Sequence, residues 1–396
     1  MTGSFSRRDF IRLAGGGVVA ASVAPLAACS TDYPSAAVAA WQGPAQEAEL
    51  RRWALGYAIL APNSHNRQPW IADLREADAI VLRVDRERML PETDPHHRQI
   101  VVSQGTFLEA LVLALQARGV TAQVQLFPEG EFGTRAVDDR PVARVTWRAS
   151  AAPAPRDPLF AQLLRRHTAK VDYDAARAVD PATLPMLASA LVDPAIRFGG
   201  TVDPTRLYEL RTICWESAQV ELTTPRTVME SVRLTRVGPA EIDRHRDGIS
   251  INAFMPRLAA AVGAFDRGSP PAPGSTAYKT MMSRFEGHSR TAMGFVWLST
   301  PAESGPAGTG PRAREVRAGR AYMRLQLKAA ELGLQVHPMS QAVQEFAEMK
   351  PHYDRLHTLL VGKPAGDEPL QMFCRIGYAA TQPHTPRRGV EAVVRA

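Results

Sequence analysis

The chain has 396 residues, 45% of them apolar, enough for one large or two smaller buried cores and far from the composition of a disordered protein. Lysine plus arginine number 47 against 40 aspartate plus glutamate, and the resulting +7 is spread along the chain without a basic run. That pattern argues against a nucleic-acid footprint and leaves anionic small molecules as partners. Three cysteines are too few for a disulfide framework or a thiolate zinc site.

In chain order, Arg7-Arg8 and the uncharged, Gly/Ala-rich Leu13 to Ala28 read as the basic and apolar regions of an export signal, 1–28. The run is too short for a comfortable transmembrane helix of about 20 residues. The arginine pair with nearby apolar residues resembles a twin-arginine signal, which implies the twin-arginine export machinery as a partner. Leu26-Ala27-Ala28-Cys29 resembles a lipobox, with lipidation at Cys29; ordinary signal-peptidase cleavage is the competing reading. The expected location is periplasmic, either free or as a membrane-anchored lipoprotein. Residues 29–43 show little apolar periodicity and read as a tether.

Leu50, Trp53, Ala54, Tyr57 and Ala61 predict a helix over 46–61, ended by Pro62. Strands are expected at 70–74 and 79–84, a helix at 99–118 stopped by Gly119, and strands at 123–127 and 142–147. The Ala/Pro-rich stretch 149–158 divides the chain into halves, 44–150 and 151–396. In the second half, helices are expected at 159–166, 181–191, 207–222 and 312–332, and strands at 196–202, 295–298 and 371–378. Alternating helices and strands in both halves favour a mixed, layered α and β fold.

Asn63-Ser64-His65-Asn66-Arg67-Gln68 concentrates six polar side chains in one loop, stiffened by Pro62 and Pro69. By chemistry alone it is either a ligand loop or an ordinary connection. His65 reads as a surface histidine. His96-His97 has no spaced third ligand, so no metal site is expected. Gly287-His288-Ser289 lacks the closing glycine of a nucleophile elbow.

Pro62-Asn63-Ser64-His65-Asn66-Arg67-Gln68-Pro69-Trp70 resembles the Asn-x-Gln-Pro-Trp loop of the FMN-dependent nitroreductase superfamily. Arg165-Arg166-His167-Thr168-Ala169-Lys170 is similar to that family's motif for the FMN phosphate and ribityl chain. Leu332 to Gln341 resembles the Leu-Gly…Pro segment that packs on the flavin, and Arg375-Ile376-Gly377-Tyr378 with Pro386-Arg387-Arg388 resembles its C-terminal strand and basic phosphate contact.

The loop precedes the phosphate motif by about a hundred residues, as in the Acg-type branch, where one chain carries two halves. The resemblance therefore implies an α+β, nitroreductase-like three-layer α/β/α fold, with two pseudo-symmetric halves mimicking the family homodimer. A monomer with one FMN is expected, and its second site degenerate.

By the same resemblance Arg166, His167, Thr168, Lys170, Arg387 and Arg388 would hold phosphate and ribityl oxygens, with charge-assisted donors from the basic groups. Pro62, Asn63, Ser64 and Asn66 would meet the cofactor from the other half. Pro338, Ser340 and Gln341 would lie along the ring, the Ser340 N–H toward its reactive nitrogen. No protein side chain is required as acid or base, because the flavin carries the chemistry.

Two functions follow. One is two-electron reduction of a small-molecule acceptor, a nitroaromatic or quinone, with NAD(P)H as donor if the protein works in the cytoplasm. The other is an exported flavin-binding or flavin-sequestering protein with little turnover. Membrane contact is expected only through a lipid anchor. Cys214 and Cys374 either pair or remain buried thiols.

Overall fold

The computed structural model describes residues 31–149, 156–263, 265–303, 309–363 and 365–395. The signal expected at 1–28 and the lipidation site Cys29 lie outside them. Helices are α1 (Ser35–Val38), α2 (Leu50–Ala58), α3 (Arg98–Ala117), α4 (Thr183–Ala188), α5 (Pro204–Thr223), α6 (Pro225–Arg233), α7 (Gly238–His245), α8 (Phe254–Ala261), α9 (Thr276–Arg290), α10 (Pro311–Glu331) and α11 (Lys350–Val361).

Strands β1 (Trp70–Asp73), β2 (Ala79–Val84), β3 (Val120–Leu126) and β4 (Ala143–Ala149) form one sheet with β11 (Val394–Arg395), in the order β11-β1-β2-β4-β3. Strands β5 (Arg197–Thr201), β8 (Gly294–Ser299), β9 (Gln335–Pro338) and β10 (Leu370–Gly377) form a second, ordered β5-β8-β10-β9. Strands β6 (Thr235–Val237) and β7 (Ile249–Ile251) pair separately.

The two main sheets repeat one plan. Each has an antiparallel pair (β1-β2, β5-β8), then a long helix (α3, α10), then a strand at the far edge and its inner neighbour. Both long helices end in a glycine with a left-handed backbone, Gly119 at φ 76° and Gly333 at φ 67°. Glycine adopts that conformation without the penalty a Cβ imposes, so it terminates the helix there.

The helices cross at Gly105 and Gly319. A Cβ on Gly105 would stand 2.0 Å from the Val316 carbonyl oxygen, and one on Gly319 2.0 Å from that of Val102. Each glycine therefore meets the carbonyl three residues before the other, the reciprocity of a two-fold axis. The chain is thus α+β, with two pseudo-symmetric halves.

Around the second sheet the layering is α/β/α. Val296, Leu298, Cys374 and Ile376 face α10, whereas Phe295 and Phe373 face α5 and α11. In the first sheet, β3 alternates partly buried and exposed residues, so its outer face meets solvent there. Helix α3 is long and apolar enough to cross a membrane, but it is a core helix, with 16 of its residues buried.

Two features break the symmetry. Where β1 and β2 join by a short turn, β5 and β8 are separated by α5 to α9 and the small β6-β7 sheet. And β11, the end of the second half, pairs parallel with β1 of the first. Residues 31–43 are not a tether. Trp41 and Ala37 are buried, Trp41 Nε1 donates to the Thr385 carbonyl at 2.8 Å, and Arg387 N donates to the Ala37 carbonyl at 2.9 Å. One large aromatic supplied the docking energy that a periodicity search does not register. Cys214 and Cys374 are buried free thiols, not a pair, and burial raises the pKa of each.

Candidate functional site

The polar loop is rigid because its side chains close on its own backbone and on α3. Thr106 Oγ1 donates to the Pro62 carbonyl at 2.7 Å and Gln104 Nε2 to that of Pro69 at 2.5 Å. Asn63 Oδ1 accepts from Gln68 N at 2.7 Å, and Ser64 Oγ donates to Gln99 at 3.2 Å. His65, Asn66 and Gln68 all hold positive φ, between 47° and 52°. Such backbone costs about 1–3 kcal/mol per residue and persists only where surroundings enforce it.

The enforcement comes from the other half. Asn66 Nδ2 donates to the Pro386 carbonyl at 3.0 Å, and its Oδ1 accepts from Arg387 Nη1 at 2.7 Å. Gln68 Oε1 accepts from Arg388 N at 2.9 Å, and its Nε2 donates to the Arg246 carbonyl at 2.7 Å. The loop of the first half is therefore clamped between the C-terminal segment and the α7–β7 turn of the insertion. Asp247, in that turn, accepts from Arg88 at 2.8 Å and pairs with Arg67 and Arg236.

The second motif follows the turn at 158–162. Arg166 is 3% exposed, and its Nε and Nη1 have no hydrogen-bond partner. Arg387 is equally buried, with Nε unpartnered. Both guanidinium groups approach the Trp41 ring, at 5.5 and 5.2 Å, and that ring stacks on His384 at 4.1 Å. Burial pulls the Arg166 pKa down to about 10. Burial, then the charge of Arg166, pulls Arg387 well below its usual value.

Lys170 is accessible to solvent but closely surrounded by protein. That crowding, with the like charges of Arg284 and Arg387, lowers its pKa to about 8. Arg284, on α9, is likewise accessible and depressed. Among the described residues none of Arg166, Lys170, Arg284 and Arg387 forms an ion pair with a carboxylate. Two desolvated guanidinium groups, Arg166 and Arg387, in range of each other without an ion-pair partner are an expensive arrangement for a protein that binds nothing there.

Histidines ring this group. His65 is not a free surface histidine: its Nδ1 is buried without a partner, and burial followed by the charges of Lys170 and Arg67 lowers its pKa to about 4. His384 is lowered to about 4, by burial and then Arg166, and His288 to about 3, by burial and then Arg375. All are neutral near pH 7, so they offer hydrogen bonds without adding charge. Arg375, on β10, locks the surroundings. It donates to His337 Nδ1 at 3.0 Å, to the His288 carbonyl at 2.9 Å and to the Val171 carbonyl at 2.7 Å. The proton of His337 is thereby left on Nε2. Arg375 thus ties the phosphate-motif segment, α9 and the β9 strand leading to Pro338 into one frame.

The structure therefore brings together Asn66, Arg166, Lys170 and Arg387, with His167 beside His384 at 6.1 Å between ring centres. His167 Nε2 is buried and unpartnered. Pro338 ends β9 directly after His337, and Ser340 opens a short helical turn to Val343. Gln341 hydrogen-bonds Glu221. The side chains of Asn63 and Ser64 are bonded within the loop and to α3, and Pro62 is buried beneath it. Arg388 turns to Asp85, at 3.5 Å, and to the Ala392 carbonyl. Trp41, Arg284 and His384 escaped the sequence reading, which weighed His288 only as part of an incomplete nucleophile elbow. The i, i+4 spacing of Arg284 and His288 was the available signal for one face of α9.

No family model matches the chain. Over 358 residues, 88% of this chain and 92% of the relative, it is 26% identical to "Putative NAD(P)H nitroreductase Rv3131" of Mycobacterium tuberculosis. The likeness supports the nitroreductase superfamily. A second curated relative from that organism, "Putative NAD(P)H nitroreductase acg", is 36% identical over 75 residues; the match spans only 22% of its length and 19% of this chain. Among solved structures, the FMN-dependent nitroreductase NfnB of Mycobacterium smegmatis, in complex with NADPH, aligns with 60% of this chain and 97% of its own at 17% identity, with a TM-score of 0.35.

Proposed function

We propose that the protein is an FMN-binding oxidoreductase of nitroreductase type, transferring two electrons to a nitroaromatic, quinone or similar small acceptor. The observation that carries this reading is the buried pair Arg166 and Arg387, each with unpartnered N–H groups, beside the accessible cations Lys170 and Arg284, none of the four in an ion pair among the described residues. Those donors fit a phosphate monoester, which carries nearly two negative charges and three strong acceptor oxygens. Bound FMN would supply the hydride-accepting and electron-donating chemistry.

The chain's residues bind, orient and exclude water. Arg166, Lys170 and Arg387 hold the phosphate, and His167 and Thr168 add neutral donors. Asn66 acts from the other half by fixing the Arg387 guanidinium, so it is a positioning residue. Pro338 to Gln341 supply the ring-facing backbone, including the Ser340 N–H. Asn63 and Ser64 shape the loop, and Arg388 anchors the C-terminal segment through Asp85. Reduction of a quinone takes two electrons and two protons, the electrons coming from a reduced nicotinamide or another donor.

A second reading, an exported flavin-retaining protein with little turnover, is favoured by one feature. Residues 31–43 lie against the cationic cluster, with Trp41 over both arginines. Export by the twin-arginine route, with or without a lipid on Cys29, belongs to either reading. The test is the absorption spectrum of the purified chain, followed by NAD(P)H oxidation with a quinone or nitrofuran. Flavin bands with turnover support the enzyme, flavin bands with no turnover support retention, and a colourless protein that takes up no FMN sinks both.

A further inference from the structure

Helix α8 is built inside out. Phe254, Met255 and Leu258, with Val262 at its C-terminal cap, are 54%, 68%, 46% and 71% exposed. At 100° per residue their positions (i, i+1, i+4, i+8) fall within about 100° of arc, one continuous stripe. The inward side holds Pro256, Arg257 and Ala260, all partly covered, and no residue of the helix is buried. A surface helix of a water-soluble domain normally points its apolar stripe at the core. Four large apolar side chains collected outward mark an interaction surface.

A second observation says what covers it. Asn252, 6% exposed and two residues before α8, donates through Nδ2 to the Asp32 carbonyl at 2.6 Å. The N-terminal chain is therefore pinned beside the start of α8. Thr31 is three positions from Ala28, the end of the uncharged apolar run Leu13 to Ala28, a reach of at most about 10 Å. A lipid surface holding that run, or a lipid on Cys29, would lie next to the α8 stripe. A stable dimer buries about 1,200 Å² or more in total, beyond what one two-turn helix presents. Interfacial binding needs only a few inserted apolar side chains, and the chain's +7 charge favours anionic headgroups.

We propose that α8 is a membrane-contact element, whose stripe Phe254, Met255, Leu258 and Val262 inserts into the headgroup boundary of a lipid bilayer beside the point where the N-terminal chain emerges. This is independent of the flavin reading. It gives the protein a fixed orientation on the bilayer, which a flexible anchor alone would not.

The test uses the full chain carrying Cys29→Ser, so that no attached lipid contributes. It is compared with the same chain carrying Phe254→Ser, Met255→Ser, Leu258→Ser and Val262→Ser, with circular dichroism and melting temperature as controls for folding. Each is sedimented with limiting vesicles of phosphatidylcholine and phosphatidylglycerol. The bound fraction should fall roughly tenfold in the variant. Because both chains share residues 1–28, a direct probe is added. Phe254→Trp should give emission shifted to the blue on vesicles and quenched by brominated lipid. Equal sedimentation with no such shift overturns the proposal. So does a lipid-free dimer that the serine variant abolishes, which would make a second copy the occupant.

Discussion

Two groups of arginines in this molecule are treated in opposite ways. Along α10, Arg317, Arg320 and Arg324 each have a carboxylate. Arg317 makes two bonds to Asp193, at 2.6 and 2.5 Å; Arg320 and Arg324 share Glu109, and Arg324 also reaches Asp157. At the junction of the loop, the 166–170 motif and the C-terminal segment, Arg166, Lys170, Arg284 and Arg387 have none. Through Glu109 the first group joins the halves of the fold. The second leaves its charges uncompensated, which a folded chain sustains when an anion is the missing partner. The buried N–H groups of Arg166 and Arg387 left without a partner mark the second group as the one open to a ligand.

The sharpest way to break the comparison is to delete charges from each group. Arg166→Ala with Lys170→Ala should lower FMN affinity by at least about a hundredfold, as two charge-assisted contacts are lost. The melting temperature of the flavin-free protein should hold or rise, because the desolvated cations had no partner to lose. A titration of flavin fluorescence and a thermal melt measure both. Glu109→Ala should do the reverse. Glu109 is 3% exposed and its loss strands Arg320 and leaves Arg324 with Asp157 alone, so about 2–4 kcal/mol of stability should go, with flavin affinity nearly unchanged.

Smaller effects sharpen the same picture. Asn66→Ala should weaken FMN roughly tenfold by releasing Arg387, although the residue sits in the half that holds neither basic motif. An unchanged dissociation constant would contradict the clamp between halves. Trp41→Ala should raise the dissociation rate of FMN several-fold, read by stopped flow, because the ring faces both phosphate-holding arginines. The pH dependence has a defined sign. Lys170 titrates at about 8 in the free protein, and a bound phosphate favours its ammonium. Affinity should therefore be highest between the second phosphate pKa of about 6 and pH 8 and decline as pH rises above 8, whereas Lys170→Met should flatten that upper limb.

Much of the frame was legible in the sequence. The apolar stripe of 99–118 and its glycine stop marked α3 to within a residue, and the same signals marked α10. Strand β2 was read to the residue, because its apolar run is bounded by turn chemistry. The loop from Asn63 to Gln68 stood out by composition. What escaped was set by long-range contacts. The two-residue β11 carries no pattern of its own and exists because β1 offers an edge. Helices α6 to α9 lie in an insertion between β5 and β8, and the stripe of α8 faces outward rather than to the core. Trp41 and Arg284 join the site only through tertiary packing, and the left-handed backbone of Asn66 and Gln68 is held by partners more than 300 positions away.

The central claim is that the cationic cluster recognises a phosphate on a flavin. Titrating the flavin-free protein with FMN and with riboflavin, which differ only in that phosphate, tests it directly. The account predicts FMN binding at least about a hundredfold tighter than riboflavin, with the difference erased in Arg166→Ala/Lys170→Ala. Equal affinities for the two flavins, or none for either, would contradict it.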